Sequence, residues 1–539
     1  MGYHVFTHQD YESRVRGGHN FYQVRVASPR IISSAENPDL VVALDRATIE
    51  LHRTSLKEGG ILMYDSEALN DKIDDKSLLD VPLARIAKDE GGNPLMANTA
   101  AVGAVFGVLS MDIRTLEAVL SERFSDKSRE VKEGNIRVAR AGYAYAKENC
   151  SSCSFPEPPA SQAPLALMNG LQGASTGALA SGLRFYSAYP MTPSTGVMNN
   201  IAARASDLRI VVEQAEDEIA AINMALGASY AGVRAATGTS GGGFALMTEG
   251  VSLAGMTETP IVIFESQRPG PATGLPTRTE QADLLFIAHS GHGEFPRVIF
   301  APGTPRQALI LTNRAFDLAE RFQVPAFVML DQYLGDSQWT YSPDDLEASA
   351  LVYKDYRLRD SIPEDYMRHA LTEDGISPLA VPGRGRHLVV TDSDEHDEQG
   401  HLIEDAETRM DMMDKRLTKK MPELRRAISK PLYYGDDSAE IVLACWGSSY
   451  GPVKEAVDRL RGLGSDAAMM FFSELYPLPE DTGWLGPLER AGKAVMVEGN
   501  ATGQFSRLLR AETGYHFSEI ITRYDGRPLT SDYILRGLD

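Results

Sequence analysis

The chain has 539 residues, a formal net charge of −21 and a hydrophobic fraction of 43%. That length predicts about three or four domains, and the acidic balance argues against a nucleic-acid partner, which calls for clustered Lys and Arg. Cys150, Cys153 and Cys445 are the only cysteines, too few for a four-ligand metal or iron–sulfur site.

Residues 1–148 alternate strand-like and helix-like segments. DLVVALD (Asp39–Asp45) and GGILMYDS (Gly59–Ser66) read as buried strands, and NTAAVGAVFGVLSM (Asn98–Met111) as a buried small-residue helix. Residues 149–163, rich in Ser, Pro and Cys, read as a linker on which Cys150 and Cys153 are expected as free thiols. From 164 to 338 the βα rhythm is strong: RFYSAY, LRIVVEQ, GVRAATGTS, PIVIFES, FPRVIFAPG and VPAFVMLDQ are expected strands of a doubly wound α/β domain. Ligands of such sheets bind at the carboxyl ends of strands. Residues 339–435 are polar and irregular. From 436 to 539 a smaller α/β domain is expected, with EIVLACWGSS, DAAMMFFSEL and KAVMVEGNATGQ as strands and PVKEAVDRLRGLG as an amphipathic helix. No signal peptide and no membrane-spanning apolar run is visible, and the cysteine usage fits a reducing, cytoplasmic setting.

The segment VVEQAEDEIAAINMALGASYAG (Val211–Gly232) sets Glu218 at the head of an alanine- and glycine-rich helix. A carboxyl group there, beside small residues that let a flat ring approach the backbone, suits thiamine chemistry. That chemistry needs a carboxylic acid on N1′ of the aminopyrimidine. The alternative is that Glu218 and its acidic neighbours only cap the helix. YPMTPST places Thr192 and Ser194 on a loop fixed by Pro190 and Pro193; a hydroxyl-bearing loop of this kind suits a carboxylate or a cofactor ring, or is a plain helix start. TGTSGGGFALMTEG, with Gly241, has no Walker pattern and reads as close backbone approach around a cofactor or a subunit contact. FESQRPGPATGLPTRTEQAD carries Arg268 and Arg278 on one Gly/Pro-rich loop after a strand, an arrangement that can clamp carboxylates, or a solvated loop. His289 and His292 read as structural. VEGNATGQFSRLLR can aim backbone N–H groups of Gly499, Asn500 and Gly503 at an anion, or is a simple strand–helix turn.

These blocks together resemble the α subunit of the 2-oxoacid:ferredoxin oxidoreductases, nearest to the 2-oxoglutarate branch. YPMTPST is similar to the family's YPITP signature, with Met191 in place of Ile, and DSDEHDEQGHLIEDAETRMDMMDKR and GHGEFPRVIFAPG resemble the 2-oxoglutarate branch. HQDYESRVRGGHNFYQVRVAS resembles the family's γ domain, fused ahead of the α portion and starting after that domain's usual first βα unit.

The resemblance implies several doubly wound α/β domains: a central thiamine-diphosphate pyrimidine-type domain and a C-terminal transketolase-C-like one. It implies Glu218 on the aminopyrimidine, Tyr189, Pro190 and Gly241 at the cofactor, Thr192 and Arg268 at the oxoacid carboxylate, Arg278 at a distal carboxylate, and Arg16 and His19 as coenzyme A contacts. It also implies a β subunit that brings Mg2+ and a [4Fe-4S] cluster, a dimer of αβ heterodimers, and ferredoxin as electron acceptor. The alternatives are a pyruvate or branched-chain 2-oxoacid enzyme, or a non-catalytic scaffold subunit.

Overall fold

The computed structural model describes residues 3–14, 17–73, 75, 77–150, 153, 165–346, 351–359 and 362–538. They fall into two compact units: Met1–His4, Val26–Arg30 and Ala35–Pro164 form one, and Val5–Arg25, Ile31–Ser34 and Leu165–Asp539 the other.

The strands, in chain order, begin with β1 (His4–Asp10) and β2 (Phe21–Ala27), followed by β3 (Leu40–Val42), β4 (Ile61–Tyr64) and β5 (Leu78–Asp80). Next come β6 (Ala166–Asn169), β7 (Phe185–Ala188), β8 (Val211–Gln214), β9 (Ala235–Thr239), β10 (Ile261–Gln267), β11 (Val298–Phe300), β12 (Pro325–Asp331) and β13 (Gln338–Tyr341). The last six are β14 (Leu432–Tyr434), β15 (Ile441–Trp446), β16 (Ala467–Phe472), β17 (Glu474–Tyr476), β18 (Lys493–Glu498) and β19 (Glu519–Thr522).

In the first unit β3, β4 and β5 form a parallel sheet. Helices Ala97–Val108 and Arg129–Asn149 pack through small residues: a Cβ on Gly103 would strike the Ala139 carbonyl, so only glycine permits this approach. Cys150 and Cys153 are not the free thiols expected. They form a disulfide with a Cα–Cα separation of 5.4 Å, a distance within the normal bridging range, just past the end of the helix at Asn149.

The expected N-terminal domain of residues 1–148 is not one structural piece. β1 runs antiparallel to β13, which in turn pairs with β6, so the early strand belongs to the second unit. Hydrophobic period cannot reveal a pairing across more than three hundred positions.

The second unit is built on a seven-stranded sheet of order β17-β11-β12-β10-β9-β7-β8, parallel except for β17. β10 and β12 are buried at every residue, as strands covered on both faces must be. Two cores lie on the two faces. One gathers Ile222, Phe244, Met247, Ile261 and Ile263, the other Val197, Ile201, Val262 and Phe264. The chain leaves β7 for β8 on one side and returns to β9 on the other, so the β7–β9 gap is the switch point where α/β sheets open a crevice.

A five-stranded sheet of order β14-β16-β15-β18-β19 follows. The expected single strand DAAMMFFSEL is split at Ser473, whose carbonyl accepts the Ala301 amide at 2.8 Å, and β17 crosses to the edge of the larger sheet. The stretch from 339 to 435, expected to be irregular, contains a continuous helical run from Ala406 to Ala427 with a π segment at Asp414–Lys420. That segment turns Lys415 and Lys420 inward onto the buried Glu258, joined there by His369.

Candidate active site

Glu218 opens the helix Glu218–Tyr230 and is 4% exposed. The cap is supplied by the preceding residue: the Asp217 carboxylate accepts the Ala220 amide at 2.7 Å. Glu218 is therefore not needed as a cap, and its Oε1 is buried with no hydrogen-bond partner. A buried acceptor left unpaired costs free energy, so it marks a place where a donor belongs. The helix Gly241–Met256 passes directly beneath, and a Cβ on Gly243 would collide with Glu218 Oε1 and Thr239 Oγ1. Only a residue without a Cβ lets the Glu218 carboxyl group and the Thr239 hydroxyl seat against this helix.

The YPMTPST loop leaves β7 at the switch point. Tyr189, Pro190 and Thr192 are exposed there. Arg268, just past the end of β10, reaches this loop: its guanidinium donates to the Thr192 carbonyl at 2.8 Å and contacts the Met191 sulfur at 3.3 Å. Burial lowers the Arg268 pKa from its ordinary value, and the nearby Asp283 carboxylate opposes that shift. Glu218, Thr192 and Arg268 thus follow the carboxyl ends of β8, β7 and β10 of one sheet, with β9 between the last two strands.

Arg278 points elsewhere. It forms an ion pair with Asp10 of β1, while Thr277 donates to the Tyr11 carbonyl at 2.6 Å. The loop between Arg268 and Asp283 is also tied to the five-stranded sheet. Gln281 donates to the Gly499 carbonyl at 2.6 Å and through Nε2 to the Trp446 carbonyl at 2.9 Å, and accepts the Gly499 amide at 2.8 Å. Gln504 adds Nε2 to the Ala282 carbonyl at 2.6 Å.

The turn at Gly499–Gly503 is not a vacant anion site. The buried Glu498 carboxylate accepts the Phe505 and Ser506 amides, each at 2.9 Å, together with Trp446 Nε1 and Asn500 Nδ2. The helix N-terminus is satisfied by the chain's own carboxylate. His289 caps its own helix through the Leu285 carbonyl at 2.8 Å, and the His292 carbonyl accepts from Ser252, in keeping with structural roles. The His19 amide donates to Glu12 at 3.3 Å, and Arg16 lies outside the described residues. No cluster of metal-ligating side chains occurs among the described residues.

Residues 176–415 match the family described as pyruvate flavodoxin/ferredoxin oxidoreductase, thiamine diphosphate-binding, and residues 1–145 match pyruvate ferredoxin/flavodoxin oxidoreductase. The α subunit of 2-oxoacid:ferredoxin oxidoreductase 2 from Aeropyrum pernix is 32% identical, over 98% of this chain and 92% of its own. The chain belongs to the 2-oxoacid:ferredoxin oxidoreductase α subunits. A 2-oxoglutarate synthase subunit KorA from Methanothermobacter thermautotrophicus is 32% identical over 67% of this chain and 94% of its own. A solved 2-oxoglutarate:ferredoxin oxidoreductase from Magnetococcus marinus, with 2-oxoglutarate, coenzyme A and succinyl-CoA bound, superposes with a TM-score of 0.91 at 31% identity, covering 100% of this chain and 94% of that one.

As an α subunit, the chain presents apolar residues on the outside of the site. The Glu218 helix is apolar on almost every side, yet Ile219 and Met224 are exposed on it, and Leu246 is exposed on the helix below. Helices apolar all round are normally covered. Sequence reasoning missed two groups beside the site, Glu265 and Asp283, and the Asp10 carboxylate that draws Arg278 away from it. Glu265 carried a signal, a carboxyl group inside the otherwise apolar run PIVIFES.

Proposed function

We propose that this chain is the α subunit of a 2-oxoglutarate:ferredoxin oxidoreductase. With a β subunit it converts 2-oxoglutarate and coenzyme A reversibly to succinyl-CoA and CO2, passing electrons to ferredoxin. The observation that carries the reading is the buried, unpartnered Glu218 Oε1 beside Gly243, relieved of capping by Asp217. The residues present fit an aminopyrimidine: a buried acceptor without a donor, on a carboxyl group seated against a glycine. Bound thiamine diphosphate would supply a carbon nucleophile and an electron sink.

In this reading Glu218 holds the proton at the aminopyrimidine N1′. Arg268 receives the carboxylate next to the oxo group, with the exposed Thr192, whose carbonyl holds Arg268, beside it; Tyr189, Pro190 and Gly241 would frame the ring. Magnesium and a [4Fe-4S] cluster belong to the β subunit, and the exposed Ile219, Met224 and Leu246 fit a surface that such a partner covers. Two αβ pairs would make the assembly, with His19 and Arg16 toward coenzyme A.

The Arg278–Asp10 ion pair favours a second reading. An arginine whose charge is already balanced attracts a distal carboxylate less, which suits pyruvate or a branched-chain 2-oxoacid. The deciding experiment is an assay of the co-expressed αβ pair against 2-oxoglutarate, pyruvate and a branched-chain 2-oxoacid with a viologen acceptor. A specificity constant highest for 2-oxoglutarate supports the first reading. Activity only with the monocarboxylates supports the second, and activity with none removes both.

A further inference from the structure

Glu265 lies within the buried run of β10 with no exposure to solvent, and neither of its oxygens makes a hydrogen bond of normal geometry. Strand alternation puts its side chain on the face shared by Ile263 and Gln267. In register it stands beside Thr239 of β9, and the Thr239 hydroxyl and the Glu218 carboxyl both lie against Gly243. Asp283 closes the other side. Its carboxyl oxygens lie against Gly241, where a Cβ would come within 2.6 Å, and its amide donates to Gln267 Oε1 at 3.2 Å. The two carboxyl groups are therefore neighbours between Glu218 and Arg268, at the carboxyl end of the sheet.

Burial and the adjacent Asp283 hold the Glu265 carboxyl well above the usual carboxylate range, and burial also raises Asp283, with Arg268 opposing. The other charged groups facing the pair are Asp331 at the end of β12, raised by burial to about 6, and Glu280 on the loop, raised by burial and Asp283 to about 7. Glu218 faces it across Thr239. Two adjacent carboxyl groups shielded from water cannot both ionise.

We propose that Glu265 and Asp283 share one proton and together act as a positioning pair for Arg268, setting the charge that meets the substrate's carboxylate. The substrate-facing part rests on the reading of Arg268 given above. With one proton on the pair, its formal charge of −1 cancels the +1 of Arg268, and an incoming carboxylate meets no net repulsion. With the proton gone, the same three groups sum to −1 and repel it. Substrate binding therefore favours the protonated pair, and raising the pH through its titration raises the KM for the oxoacid.

The test uses the co-purified αβ assembly and the variants Glu265→Gln and Asp283→Asn. The infrared spectrum of the wild type near neutral pH is expected to show a protonated-carboxyl C=O band that is missing from Glu265→Gln. A wild type without that band, or a band unchanged in the variant, overturns the shared proton whether or not any oxoacid turns over. Between about pH 6 and 9 the wild-type KM should rise about tenfold per unit above the pair's titration. In Glu265→Gln, whose amide mimics the protonated acid, KM should stay flat while the circular dichroism spectrum is unchanged. Should Glu265→Gln not fold, Asp283→Asn serves in its place: with one carboxyl group left, the charge beside Arg268 cannot pass from zero to −1, and the steep rise in KM should be lost there too. A KM profile identical to wild type in the folded variants overturns the positioning role even if the band behaves as expected.

Discussion

The Arg268 guanidinium donates to the Thr192 carbonyl at 2.8 Å, joining the loop after β7 to the end of β10 across the switch point of the central sheet. One arginine thus orders the signature loop and keeps further donors for a ligand. Arg268→Ala should impair every 2-oxoacid in the αβ assembly. Loss of a charge-assisted bond costs about 1.5–3 kcal/mol, or about one to two decades in the specificity constant. Parallel losses for 2-oxoglutarate and pyruvate are expected, and a loss confined to one of them would remove Arg268 from the shared carboxylate.

Glu218→Gln preserves shape and should preserve stability, since Asp217 makes the cap. Turnover should fall by about 10²–10⁴-fold, the usual contribution of a positioned acid or base. Gly243→Ala attacks the same point from below. Its methyl group displaces the Glu218 carboxyl, so activity should drop while the overpacking lowers stability by about 1–3 kcal/mol. Near-normal turnover of either variant, measured with the β partner present, would falsify the role given to Glu218.

Arg278→Ala distinguishes the two substrate readings. If Arg278 holds a distal carboxylate with Asp10 orienting it, the variant loses more specificity for 2-oxoglutarate than for pyruvate. Equal losses across the two, accompanied by lower thermal stability, would leave Arg278 as the residue that orders its loop against β1.

The buried Glu258 hub sets the acid stability of the unit. Burial alone would raise its carboxyl pKa, but Lys415 and Lys420 overcome this and hold it well below the usual range. With the folded value depressed, the stabilisation is complete above the unfolded value, about 4.3, and is lost as the pH falls through the folded one. Glu258→Gln leaves two buried ammonium groups uncompensated and should cost about 3–5 kcal/mol in denaturant melts at neutral pH. It should also flatten the acid limb of the stability profile. An unchanged limb would assign acid sensitivity to other carboxylates.

Iron should accompany the partner. The described residues hold no metal-ligating cluster, so the isolated chain is expected to be colourless and iron-free, and the αβ assembly brown. Stoichiometric iron in the isolated chain contradicts the assignment of the cluster to the β subunit.

Much of this architecture was legible in the sequence, for local reasons. β9, β10 and β12 announce themselves as apolar runs bounded by Gly and Pro, and Glu218 stands out at the head of a small-residue helix. What escaped reading depends on partners distant in the chain. Glu265 gains meaning only from Asp283, and Arg278 only from Asp10, through a strand whose partner β13 lies more than three hundred residues along the chain. The Gly499 turn looked open to an anion because nothing local says that Glu498 folds back onto the helix that follows it.

Gln281 spends its backbone amide, its carbonyl and both ends of its side-chain amide on Trp446, Gly499 and Asn500. The loop that starts at Arg268 is thereby cut to the shape of this particular C-terminal sheet. Exchanging that sheet alone between homologues, as a modular part, would hand the loop a surface it does not fit. A chimera designed to move oxoacid preference from one enzyme to another has to carry residues 268–283 and the Trp446 and Gly499 turns together, as one inherited piece.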